Sequence, residues 1–165
     1  MRKLLFLLFT IAILTRCEQN KPAMATKEVT EFKDTTPRIE PIWRILDVTY
    51  TSRSEIEKVF GKPTKVTENP ADDAGIKGVD LELQFKGDIT ILFKKDHAVW
   101  FDFEKLENIK WSDRLAAFGL PEEHPIQTLS DGTEWYKPSM KIKNISFTPS
   151  KTKPGYVRWA IVTVL

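Results

Sequence analysis

The residues of this chain that could do chemistry are few and scattered. His97 lies in the run KKDHAV, and His124 sits between Glu123 and Pro125. Neither has a ligating side chain three or four positions away, and the two histidines are far apart, so their spacing describes no metal site. Serines fall at helix starts and in loops, with no Gly-x-Ser-x-Gly elbow to raise one as a nucleophile. The one acidic cluster, ENPADDAGIKGVD, carries Glu68, Asp72, Asp73 and Asp80, with Gly75 and Gly78 among them. It lacks the alternating oxygen ligands that calcium needs, and reads as a turn-rich loop able to contact a partner through Asp72 and Asp73. No cofactor and no metal is expected.

The aromatic residues say more. Trp100 and Asp102 alternate with Val99, Phe101 and Phe103 along one apolar run, so the two groups must face opposite sides of a strand. In the final run, Tyr156, Arg158 and Ala160 alternate with Val157, Trp159 and Ile161. A sheet covered on one side only is expected to offer Trp100, Asp102, Tyr156 and Arg158 on its open face. Trp, Tyr and Arg are the side chains that most often dominate binding hot spots. The competing reading is that these rings pack within the fold.

The elements that must position them form a repeated phrase. In SRSEIEKVFGKP, Ser52 and Glu55 make a capping box, and Ile56, Val59 and Phe60 share a helical face. Gly61 and Pro63 then end the helix, giving a predicted span of 52–60. In WSDRLAAFGLP, Ser112 caps, Leu115 and Phe118 line a face, and Gly119 and Pro121 close, without a carboxylate to complete the box. Strand patterns follow the first copy at 79–85, 88–94 and 98–103, and the second at 133–137, 141–147 and 156–165. The expected fold is α+β: two tandem units, each a short helix plus a three-stranded antiparallel meander, with the helices on one face of the sheet. The units span about 42–103 and 111–165. Ile42 to Val48 fits either an extra helix or a leading strand.

The chain ahead of this domain has its own composition. Arg2 and Lys3 precede an apolar run from Leu4 to Leu14, interrupted only by Thr10, and Cys17 follows. The run falls short of the roughly 20 residues a membrane-spanning helix needs and reads as a secretory signal over 1–17. Leu14-Thr15-Arg16-Cys17 resembles a bacterial lipobox with Cys17 as the lipidated residue; Arg16 departs from the small residue normal at that place. An ordinary signal cut near Ala23-Met24-Ala25, or an uncleaved anchor, are the alternatives. Residues 18–40 are polar and read as a flexible tether, whose ends would lie on the order of 25 Å apart. The domain spans 41–165. Three of the chain's 25 basic residues lie in the signal, leaving one fewer base than the 23 acids. A near-neutral, mixed-sign surface excludes the electrostatic footprint of a nucleic-acid binder. Cys17 has no disulfide partner, so packing alone must stabilise the fold.

The phrase SRSEIEKVFGKPT resembles the helix-end signature of the SmpA/OmlA family of small outer-membrane lipoproteins, and of the related beta-lactamase-inhibitor-protein fold, which repeats a helix-and-sheet unit in tandem. The resemblance implies a non-catalytic envelope protein, lipid-anchored to a membrane, facing the periplasm or cell surface and binding another protein. It supplies no functional residues, because Gly61 and Pro63 only end a helix. The alternatives are an accessory lipoprotein of outer-membrane protein assembly, an envelope enzyme using His97 or His124, and a small-ligand or lipid carrier.

Overall fold

The computed structural model describes residues 39–71 and 76–164, all within the compact unit Pro37–Leu165. The expected signal with Cys17, the expected tether as far as residue 38, and Asp72 and Asp73 lie outside the described residues.

The first helical phrase folds as its residues dictate. Helix α1 (Ile45–Val48) resolves the ambiguous leading segment as a single helical turn, and α2 (Arg53–Phe60) follows. The Ser52 side chain accepts from the N3 backbone, while the Ser52 N–H donates to Glu55 at 3.1 Å, so the capping box forms on both sides. Gly61 takes φ +83°, the left-handed stop. Ile56 is fully buried and Phe60 packs on Phe85, but Val59 is 56% exposed and does not join their face. The second phrase is weaker. Trp111–Asp113 form a 3-10 turn that leads into a four-residue α3 (Arg114–Ala117), and Ser112 donates to Asp113 instead of capping a helix. Without a reciprocal carboxylate, the first turn has no reason to start at Ser112.

Among the described residues there are eight strands, four between α2 and the 3-10 turn and four after α3: β1 (Lys65–Glu68), β2 (Leu81–Phe85), β3 (Ile89–Lys94), β4 (His97–Phe103), β5 (Gln127–Thr128), β6 (Glu134–Tyr136), β7 (Ile142–Pro149) and β8 (Val157–Val164). They form one antiparallel sheet in the order β1-β2-β3-β4-β8-β7-β6-β5. The expectation of three strands per half is corrected to four. β1 and β5, too short and polar to show an alternating pattern, occupy the two edges.

One face of the sheet carries the core. Ala160 of β8 lies between Phe103 of β4 and Phe147 of β7. Its small side chain leaves room above for Phe118, which meets Phe103 (5.0 Å, 87°) and Phe147 (5.2 Å, 77°) edge-on. Trp43 leans on both Phe103 and Phe118. The N–H groups of Ile42 and Trp43 both donate to the Ala117 carbonyl, and that of Ile45 donates to Phe118 O, which satisfies carbonyls at the end of α3. Gly119 must turn beneath this strap. Its φ is +68°, and a Cβ there would lie 3.3 Å from Trp43 O. All three helices therefore contribute to the same face, with Ile45, Ile56 and Leu115 buried in a single cluster.

Candidate functional site

Antiparallel registry fixes which side chains lie on the other face. One row across the sheet runs Trp135, Ser146, Ile161, Asp102, Thr90, Gln84 from β6 to β2. The next runs Asn144, Thr163, Trp100, Leu92, Glu82. On the other side of the first row, Trp159 pairs with Thr148. No helix contributes to this face among the described residues. It bears three tryptophans, Ile161, a buried Leu92 and two carboxylates, Asp102 near the centre and Glu82 on β2.

Trp100 and Asp102 stand where the sequence places them. β4 pairs with β3 through a shift between Leu92 and Phe93, and Val99 falls in that irregularity while Phe101 and Phe103 point into the core. The parity expected for the last strand is reversed. Ala160, Val162 and Val164 are buried against the helices, so Trp159, Ile161 and Thr163 belong to the open face. Arg158 falls at the shift between Thr148 and Pro149, is exposed, and its carbonyl accepts from Leu106 N–H. Tyr156 precedes the strand, bridged to Lys110, with Lys153 Nζ 3.6 Å from its ring centroid. Neither Tyr156 nor Arg158 joins Trp100 and Asp102. The run VRWAIVTV is apolar on both sides, so alternation gave no parity; only the small Ala160, opposite two phenylalanines, marks the inner side.

Asp102 is the electrostatic centre of the face. Its Oδ1 accepts from Trp159 Nε1 at 2.5 Å, which fixes the indole across the β4–β8 seam. Partial burial pushes the carboxyl up from 3.8 to about 6; the Trp159 bond opposes that rise and nearby Glu104 adds to it. No Lys, Arg or His pairs with it among the described residues. Trp159 itself is 37% exposed. Trp135 is half-buried, and its Nε1 has no hydrogen-bond partner among the described residues.

The remaining chemistry-bearing residues are dispersed. His97 opens β4 instead of lying in a turn, and its ring stacks on Tyr50 at 4.5 Å. His124 is exposed in the loop before β5. Among the described residues no three His, Cys, Asp or Glu side chains converge as metal ligands. An open groove of about 560 Å³ is lined by Leu46, Asp47, Thr49, Tyr50, Thr51, Lys141 and Val164, away from the tryptophan face.

One cluster escaped the sequence reading. Arg114 Nη2 donates to Glu134 Oε2 at 2.6 Å and to the Tyr136 hydroxyl, and Nη1 donates to Trp111 O at 2.6 Å. The Tyr136 hydroxyl donates in turn to Glu134, and its burial and that carboxylate push it up to about 12. The guanidinium also lies 4.8 Å from the Trp111 ring centroid. This network ties α3 to β6 on the helix side. Glu134 and Tyr136, two apart on a strand, offered the only hint.

Compared with protein-family models, curated proteins and solved structures, the chain matches none.

Proposed function

We propose that this is a lipid-anchored cell-envelope protein, non-catalytic, whose domain binds another protein through the outer face of its sheet. The observation that carries the reading is the set of Trp100, Trp135, Trp159 and Asp102 on a face to which no described helix contributes. The longest row crosses six strands, from β6 to β2, roughly 24 Å at about 4.8 Å per spacing, and the rows from Trp159 to Thr163 cover about 13 Å along the strands. The resulting area, on the order of 300 Å², is more than a third of the ~800 Å² per partner of a standard interface, before any loop contributes. Fixing the Trp159 indole in advance reduces the ordering lost on association.

The tandem organisation belongs to the same proposal. Each half is a helix followed by four antiparallel strands, and the sheet order reads inward from both edges to meet at β4 and β8. That pattern supports a duplicated unit, as does the resemblance to the SmpA/OmlA and beta-lactamase-inhibitor-protein folds. The lipid anchor rests on Cys17 after an apolar run. The experiment is capture of partners from detergent-solubilised envelope by the full chain, repeated with Trp159→Ala. A partner is expected whose recovery falls about tenfold or more with the variant, the scale of a hot-spot truncation. Recovery of no partner, or equal recovery by both proteins, would sink the reading.

A further inference from the structure

The nature of that partner's central contact can be read from Asp102, on the premise that the outer face is the binding face. Along β4, Trp100 lies two residues from Asp102, and across the seam Trp159 lies on its other side, so the carboxylate is bracketed by indoles. Its only hydrogen bond among the described residues is the one Trp159 donates to Oδ1. Among the described residues nothing bonds to Oδ2 or seals it. If the side chain served only to hold Trp159, an amide or hydroxyl would accept the same N–H without placing a charge in a half-buried site. The face keeps a carboxylate there, with no cation paired to it among the described residues.

We propose that an arginine of the protein partner seats its guanidinium on Asp102, between Trp100 and Trp159. A guanidinium supplies what the site lacks: N–H donors for Oδ2, a positive charge for the carboxylate, and a flat, weakly hydrated cation to lie on neighbouring indoles. Lysine offers a point charge whose hydration resists such a setting. The rise of the Asp102 carboxyl to about 6 agrees with this reading, because it marks a carboxylate short of compensating charge yet ionised near neutral pH.

The test uses the full chain in detergent micelles at pH 7.5, with indole nitrogens labelled and the Trp159 resonance assigned from Trp159→Phe. The probes are the peptide acetyl-Gly-Arg-Gly-amide and its counterparts with citrulline or lysine in place of arginine. The arginine peptide is expected to move the Trp159 indole N–H saturably and to bind about fivefold or more tighter than the other two. Asp102→Asn should abolish that advantage while leaving the free Trp159 resonance dispersed, since an amide oxygen can take the same hydrogen bond. Equal affinity for arginine and citrulline, or an advantage that survives Asp102→Asn, overturns the cation site. Equal affinity for lysine overturns the guanidinium assignment. The proposal is separable from the binding-face reading. A captured partner that is lost with Trp159→Ala but retained with Asp102→Asn removes only the arginine, whereas failure to capture any partner removes the face.

Discussion

A half-buried carboxyl near the centre of the sheet's outer face should leave its mark on how stability varies with pH. In the folded protein Asp102 holds its proton up to about 6, against 3.8 for the ordinary side chain. Below the lower value both folded and unfolded chains are protonated there. Between the two, the unfolded chain has released the proton and the folded one retains it, so rising pH favours unfolding. Above about 6 the loss is complete. This is the reverse of a salt-bridged aspartate, which loses stability as pH falls. The full shift corresponds to about 3 kcal/mol at 1.36 kcal/mol per pH unit. The side chain still meets water on the open face, and screening reduces the expected effect to about 1–2 kcal/mol. Urea unfolding of the wild type and of Asp102→Asn at pH 4 and pH 7.5 isolates it, because other titrations cancel in the difference. The wild type should lose about 1–2 kcal/mol more than the variant across that window. A wild-type curve parallel to that of Asp102→Asn, or one that gains stability relative to it, would refute the account of Asp102 as a desolvated, unpaired carboxyl.

Two further outcomes are expected. Arg114→Ala leaves the Glu134 carboxylate largely buried without its cation, with side-chain exposures of only 16% and 18% for the Arg114–Glu134 pair. It should cost about 3 kcal/mol in urea unfolding, and adding Glu134→Gln should recover part of that loss. Gly119→Ala and Gly61→Ala share the penalty of a positive φ, but Gly61 has open space and Gly119 faces backbone at 3.3 Å. Gly119→Ala should therefore destabilise by about 1 kcal/mol more than Gly61→Ala, read as a lower thermal midpoint.

What could be read ahead of the structure follows from how loudly each residue speaks locally. Ser52, Glu55 and Gly61 act within a few positions of one another, so α2 was legible almost to the residue. Ser112 had no such partner, and the helix after it shrank to a single turn. The strands with a clean alternation, such as Leu81–Phe85, were found close to their limits, whereas the two-residue β5 and the polar β1 exist only because a neighbour pairs with them. Trp100 and Asp102 were placed on the right face because Phe101 and Phe103 are unmistakably core. Trp159 was assigned to the wrong side because its parity is set by what lies opposite Ala160 on the two neighbouring strands, Phe147 and the far more distant Phe103. The Arg114 network was invisible for the same reason: its parts lie twenty positions apart and only the fold brings them together.

The position of β8 has a consequence for how the molecule is made. It is the last of the eight strands in chain order, yet it occupies the middle of the sheet, hydrogen-bonded to β4 on one side and β7 on the other. Until it emerges, the earlier strands can form at most two separate ribbons, each with a raw inner margin. A nascent chain in that condition is exposed to mispairing with its neighbours, and it can close only when β8 is delivered. Maturation should therefore be governed by the arrival of one short segment, and trimming that segment should split the molecule down its centre instead of fraying its rim.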